Sequence, residues 1–411
     1  MRKMKDSGIE WIGEIPEDWG IVKVKQVFVR KNEKAQQENP VVLSLARAGV
    51  KVRDVSTNEG QVAESYYNYN PVSVGDLLLN PMDLYSGANC SLSEVEGVIS
   101  PAYVNLKNKE GYFSKFYDYY FKVQYWMMVL FAYGKGVSFD NRWTLNHETL
   151  MNFPIVSPDF ETQKRIADFL DEKCGKIDRY IARQQQAIEK LKAYKQSVIT
   201  EAVAYRDGWT SCHLGYLAQF KNGLNYSGLS TDIEIKFLGV GDFQNHFILD
   251  SKEMFSTLKF DGNIPEDLLL KSGDIVFVRS NGSKELVGRS VLIENIDYPL
   301  TYSGFCIRMR NYRQDAVLSK FLLYRFWSNE FRQSLNRDSR GSNINNLNQE
   351  LLSKLTVSFP DIEEQYRIID FLDKKCAEID RTMTKKQTLV DKLTEYKKSL
   401  IYEVVTGKCL V

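Results

Sequence analysis

Histidine and cysteine are scarce in this 411-residue chain, which has three of the first and six of the second. The cysteines (Cys90, Cys174, Cys212, Cys306, Cys376 and Cys409) are scattered without a C-x-x-C pair, and His147, His213 and His246 complete no ligand spacing. A disulfide framework and a zinc knuckle are therefore not expected, and the thiols should be reduced. No metal or other cofactor is expected, and the histidines offer no plausible nucleophilic triad. Long apolar runs are also missing. The aromatic-rich stretch at residues 125–133 is preceded by Lys122 and Gln124 and falls far short of the roughly 20 apolar residues a membrane span needs. Residues 1–10 are charged and lack an apolar core followed by small residues, so no secretion signal is expected and the cytoplasm is the expected location. An excess of charge of one sign is absent too: 54 Lys+Arg face 53 Asp+Glu, a net charge of +1.

Neutrality alone gives no reason to propose nucleic acid as a partner, but the distribution is more informative. Residues 279–340 hold 11 Lys+Arg against 6 Asp+Glu, whereas residues 206–278 hold 6 against 10. Such segregation can give a neutral protein one phosphate-facing surface. The bland alternative is a chance run on a solvated face. At 411 residues and 43% hydrophobic the chain can bury more than one core.

The chain is written twice. Residues 158–203 laid over 360–405, an offset of 202 without a gap, give 24 identities in 46 positions, where chance would give about three. The matched stretches read PDFETQKRIADFLDEKCGKIDR and PDIEEQYRIIDFLDKKCAEIDR. Weaker echoes precede each copy: Ser114-Lys115-Phe116 with Ser319-Lys320-Phe321, Gly136 with Gly341, Leu145-Asn146 with Leu347-Asn348, and Gly75-Asp76 with Gly273-Asp274. The order is variable domain, helix, variable domain, helix.

Each repeated segment has the marks of a long helix. Asp361 followed three residues later by Glu364 fits a capping box, which satisfies two otherwise unpaired backbone donors. Ile177, Ile181, Gln184, Ile188, Leu191, Lys195, Val198 and Ala202 then recur at 4,3 spacing, as do Ile379, Met383, Lys386, Val390, Leu393, Lys397, Leu400 and Val404. That spacing is the seam of a coiled coil. The polar seam residues Gln184, Lys195, Lys386 and Lys397 cost stability and can fix register, although lysine stems can also snorkel. About 44 residues at 1.5 Å each make a rod on the order of 65 Å long. The two rods are expected to pack on one another, because no other long partner exists in the chain.

In the variable domains, short β-branched runs at residues 41–45, 76–79, 235–240, 274–278 and 290–293, with turn residues between them, predict irregular mixed sheet. The aromatic stretches at residues 113–131 and 321–335 predict one packing helix per domain, with the aromatics in the core.

The chain resembles the specificity subunit of type I restriction-modification enzymes along its whole length. The opening Asp6-Ser7-Gly8-Ile9-Glu10-Trp11-Ile12-Gly13-Glu14-Ile15-Pro16-Glu17-Asp18-Trp19 is similar to that family's start, and the duplicated P-x-x-E-x-Q-x-R-I-x-D-F-L-D segments are similar to its repeated regions. The resemblance implies an α+β fold of two irregular mixed α/β target-recognition domains, residues 1–157 and 206–357. They would be joined by two long antiparallel helices, residues 158–205 and 358–411, that form a coiled coil with a pseudo-twofold. It also implies a non-catalytic DNA-binding subunit that reads a bipartite site on double-stranded DNA. Two modification (methyltransferase) subunits, and usually restriction (endonuclease/translocase) subunits, would assemble on it. Two antiparallel helices would bring each domain to the duplex in an equivalent way, and their length would set the unread spacer. One departure is Thr162, where the second copy has Glu364; this substitution is expected to weaken the first cap.

Enzymatic readings fare poorly. Pro158-Asp159 with Asp171-Glu172-Lys173, and Pro360-Asp361 with Asp373-Lys374-Lys375, spell the PD…(D/E)-x-K pattern of metal-dependent nucleases. Those carboxylates must converge on one Mg²⁺, yet on a single helix they lie about 18 Å apart. No Asn-Pro-Pro-aromatic motif is present to hold a flipped base, and no glycine-rich turn follows a strand. A coiled-coil scaffold that touches only protein is the alternative from a different class. It is disfavoured because a scaffold has no evident need for two divergent domains on matching rods.

Loop chemistry supplies the candidate DNA contacts, since Arg and Lys read guanine edges, Asn and Gln read adenine, and all bind phosphate. In the second domain these are Arg279, Asn281 and Lys284 with Arg289, and Arg337, Arg340 and Asn343. By position in the duplication the first-domain equivalents are Tyr85, Asn89, Lys135, Ser138, Asn141 and Arg142. Each of them could also be an ordinary solvated loop residue.

Overall fold

A computed structural model of the chain describes all residues except 1–2, 47–48, 57–62, 83, 85–88, 137–142, 226–232, 245, 261–263, 283–285 and 339–346, and of residues 233, 260 and 336–338 it describes the backbone. Contacts divide the chain into two units, residues 1–184 with 388–411 and residues 185–387. Both divisions fall inside the two long helices, Phe160–Ala202 and Ile362–Val405. Each unit therefore holds part of both rods. No helix among the described residues is long and apolar enough to cross a membrane.

In the first unit an antiparallel sheet runs in the order Phe28–Arg30, Val104–Asn108, Leu77–Leu79, Cys90–Leu92. Successive side chains of a strand point to opposite faces. Leu77 and Leu79 accordingly join one buried cluster with Phe116, Tyr117, Tyr120 and Phe121 of the helix Ser114–Trp126. Leu78 joins another with Leu43, Val72 and Ile99. A strand covered on both faces has no polar alternation, which is why this one reads as an unbroken apolar run. The four aromatics are wholly buried, as expected of core residues.

The second unit repeats this plan in the order Ala218–Asn222, Cys306–Asn311, Ile275–Val278, Ser290–Ile293, with Ile248–Leu249 added in parallel at the edge. Ile275 and Phe277 face one cluster while Val276 and Val278 face another. The Gly-Asp echo lies at the entry to the central strand of each sheet. Gly75 and Gly273 take φ of +86° and +92°, a conformation favourable to glycine. Asp76 and Asp274 then each accept from the backbone N–H three residues earlier, Ser73 and Lys271, at 2.8 Å. The single packing helix expected at residues 321–335 is in fact two, Ser319–Trp327 and Asn329–Asp338. Ser328 makes the break: its hydroxyl donates to Arg325 O at 2.7 Å and accepts from Phe331 N at 3.3 Å.

Asp159 and Asp361 cap the long helices as the sequence predicts, but the details differ. Asp361 Oδ1 accepts from Glu364 N at 2.8 Å, while the Glu364 carboxylate faces Arg206 at 3.4 Å. At the other helix Thr162 donates both its N–H, to Asp159 Oδ1 at 2.9 Å, and its hydroxyl, to Asp159 Oδ2 at 2.7 Å. The expectation of a weaker first cap is thus corrected, because the threonine hydroxyl supplies a second bond to the capping carboxylate. These bonds hold the Asp159 carboxyl below its usual range.

Along each rod the expected seam residues are all buried or half-buried. In the first unit Ile166, Leu170 and Cys174 share a cluster with Ile401, Val404 and Val405. In the second Val198, Ile199 and Val203 share one with Ile368, Leu372 and Cys376. The offset of 202 carries 166, 170 and 174 to 368, 372 and 376, and carries 199 and 203 to 401 and 405. The seam lysines do not snorkel freely: Lys397 pairs with Asp178 and Lys195 with Asp380, each at 2.7 Å.

Candidate nucleic-acid interface

The candidate contacts lie around the loop between the third and fourth strands of each sheet. In the second unit this loop leaves Ile275–Val278 at Arg279 and returns at Arg289, and it is closed by Val278 N donating to Arg289 O at 2.8 Å. Arg279 N donates to Phe305 O, and Leu347 N donates to Arg279 O, both at 2.8 Å. The end of the second candidate segment is thereby tied to the start of the first. A second tie comes from Arg332, whose Nη1 donates to Val287 O at 3.0 Å. Gly288, at φ +78°, lets Leu335 approach; a β-carbon there would stand 2.8 Å from Leu335 Cδ1.

The first unit uses the same ties. Asn80 N donates to Asn89 O, and Leu145 N donates to Pro81 O, both at 2.8 Å. Leu84 N meets Trp143 O at 3.3 Å, and Lys135 and Thr144 exchange backbone bonds of 2.8 and 3.0 Å. Leu145 and Leu347 are related by the offset of 202, so equivalent residues join equivalent segments.

Of the candidates, Lys135 is exposed, and Asn281, Arg279 and Arg289 are half-buried. Asn89 donates to Ala46 O at 2.8 Å and so also helps hold a neighbouring hairpin. Arg279 Nη1 reaches Gly304 O at 3.4 Å. Arg289 donates to Gln244 O and lies over the Trp327 ring, 5.9 Å from its centroid. Arg337 lies on the helix Asn329–Asp338. Tyr85, Ser138, Asn141, Arg142, Lys284, Arg340 and Asn343 lie outside the described residues.

The segregated basic charge proves only partly available. Arg308 is buried and donates to Asp267 O at 2.7 Å, and burial holds its guanidinium below its ordinary value. Arg310 forks onto Asp274 at 2.8 and 2.7 Å. Arg313 pairs with Asp315, Lys320 with Asp373 and Arg325 with Glu330. The basic excess of residues 279–340, expected to supply a phosphate-facing surface, is thus partly consumed: these five charges serve the fold, and Arg279, Arg289 and Arg332 lie at the loop.

The nuclease-like carboxylates are committed elsewhere. Asp159 and Asp361 cap helices, while Asp171 accepts from Tyr119 Oη at 2.8 Å and pairs with Lys115 at 2.5 Å. Asp373 does the same with Tyr324 at 2.7 Å and Lys320 at 2.8 Å. Among the described residues no group of three or more His, Cys, Asp or Glu side chains could hold a metal ion. Two residues of the repeated motif have a role that sequence reasoning missed. Gln163, buried, donates to Pro158 O at 2.7 Å and accepts from Phe113 N at 2.8 Å. Gln365, buried, donates to Pro360 O at 2.8 Å and Ala316 O at 2.9 Å, and accepts from Leu318 N at 2.9 Å. Each glutamine ties the start of a long helix to the start of an aromatic one. Recurrence of Gln in both copies was the available signal.

Each sheet unit thus ties its two candidate loop segments to one another, and the carboxylates of the nuclease-like pattern are spent on caps and pairs. Residues 206–390 match the family model described as the type I restriction modification DNA specificity domain. The chain is 28% identical over 334 residues to the StySPI type I restriction enzyme specificity subunit of Salmonella potsdam, covering 77% of this chain and 67% of that one. It is 26% identical over 150 residues to the EcoKI specificity subunit of Escherichia coli strain K12, covering 35% and 32% respectively. In fold it is similar to a chain solved in work on complex assembly and conformational transition of the type I restriction-modification system. That match has a TM-score of 0.69 at 14% identity and covers 96% of this chain and 99% of the other. Residues 206–390 thus match a DNA specificity domain of type I restriction-modification systems, and the chain is similar over most of its length to a specificity subunit of such a system, a class of subunit that is non-catalytic.

Proposed function

We propose that residues 1–157 and 206–357 are two target-recognition domains, each reading one half of a bipartite site on double-stranded DNA. The long helices would pair antiparallel as a coiled coil, set the length of the unread spacer, and dock two modification subunits, on which restriction subunits also assemble. The observation that carries this reading is the repeated convergence of the same two loop segments at the same end of the same sheet. One geometry built twice, with divergent loop residues, suits two different half-sites approached in one way. The paired ions Asp178–Lys397 and Lys195–Asp380 support an antiparallel register. Their residue numbers sum to 575 in both cases, so one number rises as the other falls. Equivalent outer faces on the two rods would receive two copies of the same partner.

The test is methylome sequencing of cells that express this chain with its cognate modification subunit, compared with cells carrying that subunit alone. A new bipartite adenine-methylation motif that requires both proteins is the expected result. Absence of any new motif, with the complex confirmed by co-purification, would overturn the reading.

A further inference from the structure

One short turn of the second unit holds a large apolar side chain out in water. Residues 303–306 join Leu300–Tyr302 to Cys306–Asn311, and the turn is closed by Cys306 N donating to Ser303 O at 2.8 Å. Tyr302 and Cys306 at its two ends are wholly buried, whereas Phe305 between them is 63% exposed, more than any other phenylalanine among the described residues. Turns are dominated by Gly, Pro, Asn, Asp and Ser, and a phenylalanine left in water forgoes the burial that favours folding.

A lone exposed apolar side chain is ordinary on a protein surface. What sets Phe305 apart is how firmly its backbone is held, and against what. Its N–H donates to Ser303 Oγ at 3.2 Å, and its carbonyl accepts from Arg279 N at 2.8 Å. On another side the turn is pinned to residues 222–225: Leu224 N donates to Tyr302 O and Gly304 N to Leu224 O, both at 2.8 Å, and Gly223 N donates to Cys306 O at 3.2 Å. Ser303 N completes the frame with a 3.0 Å bond to Leu238 O. The segments approach so closely that a β-carbon on Gly223 would collide with the Ser303 carbonyl. A side chain on so fixed a backbone gives up little freedom when it makes a contact. Arg279 also accepts from Leu347 N and so marks where the two candidate loop segments meet. Phe305 stands one backbone hydrogen bond from that junction.

The first unit differs at this point. The offset of 202 carries 306 to 104, and Cys306 and Val104 each pair with the last residue of the neighbouring strand, Val278 and Leu79. The residue before Val104 is Tyr103, which is half-buried against the cluster of Leu43, Val72, Leu78 and Ile99. At this position the exposed ring belongs to the second unit alone.

We propose that Phe305 is a specificity-determining residue of the second unit, packing its ring against the 5-methyl group of a thymine in the major groove. This rests on the reading of residues 206–357 as a DNA-recognition domain. A phenylalanine ring has no hydrogen bond to offer a base edge, and base faces are stacked within a duplex. The thymine methyl is the apolar group that base edges present in the major groove, and it marks a T·A pair there. A fixed aromatic beside the Arg279 loop adds this apolar readout of one base pair to the polar contacts of the loops.

The experiment uses the full chain in complex with its modification subunit, and duplexes that carry its bipartite site. Deoxyuridine replaces each thymine in turn on either strand, which removes one methyl group and leaves the base pairing intact. For the unaltered complex, replacement at one position of the second half-site should weaken binding roughly fourfold, the worth of one buried methyl group. Phe305→Ala should weaken binding of the all-thymine duplex at least as much, and deoxyuridine at that position should then make no further difference. Phe305→Leu, which keeps an apolar side chain, should restore part of the sensitivity. Thymines of the first half-site should respond alike in all three proteins, which also reports that the variants are folded. The proposal is overturned if the unaltered complex has no sensitive thymine in the second half-site, or if that thymine stays as sensitive in Phe305→Ala. Failure of the unaltered complex to prefer its bipartite site over unrelated duplex would instead sink the DNA reading itself.

Discussion

Thr162 illustrates how one side chain alters an expectation at the residue scale. Against the Glu364 of the second copy it looks like a lost capping box, yet its hydroxyl and N–H both serve Asp159. Replacing Thr162 by Ala should cost about 0.5–1 kcal/mol, the lower range for a cap partner. The effect should also depend on pH in a definite direction. The Thr162 bonds depress the Asp159 pKa in the folded chain, so their stabilisation is complete above the unfolded carboxyl value, about 3.9. It fades as pH falls through the lower folded value. Thermal melts of the two proteins should therefore converge on acidification below pH 4. A gap that stays constant down to pH 2 would show that the Asp159 carboxylate is not the acceptor.

At the scale of elements, Gln365 joins one helix start to another. Gln365→Ala would orphan the buried N–H of Leu318 and two carbonyls, at a cost of about 1–3 kcal/mol, and the loss should be confined to the unit that contains it. Denaturant unfolding followed by Trp209 and Trp327, both in the second unit, should shift to a lower midpoint. Probes placed in the first unit should shift less, and an equal shift in both units would contradict a local role. The aspartate caps and the heptad seams were legible in the sequence because they depend on neighbours within one or two turns. Strands 275–278 and 290–293 were legible because their apolar runs are bounded by turn residues. Gln163 and Gln365 were not, since their partners lie about 50 residues upstream. The split of residues 321–335 into two helices was hidden as well, because a serine hydroxyl capping its own chain looks no different from a solvated one. The candidate loops were chosen from loop chemistry and position in the duplication, whereas their mutual ties run through backbone groups that carry no sequence signal. Charge counts misled for a related reason: Arg308 and Arg310 count as basic but are consumed inside the sheet.

For the whole molecule, the proposal that helix length sets the unread spacer has a quantitative consequence. One heptad inserted at the same level in each rod preserves the 4,3 seam, so the helices can keep the same faces together. Seven residues at 1.5 Å lengthen a rod by about 10.5 Å, and at about 3.4 Å per base pair that is close to three pairs of duplex. B-form DNA also turns through roughly 100° over three pairs, given about 10.5 pairs per turn. The insertion itself adds no such rotation between the domains, so DNA twist must absorb the difference. The lengthened protein should therefore bind its new target more weakly than the parent binds its own. The expected outcome is a methylation motif with both half-sites unchanged, a spacer about three base pairs longer, and a reduced methylated fraction. An unchanged spacer with both half-sites still read would mean that something other than helix length fixes the separation. Altered half-site bases would mean that the rods help to shape the recognition loops, and the domains could then no longer be treated as independent readers.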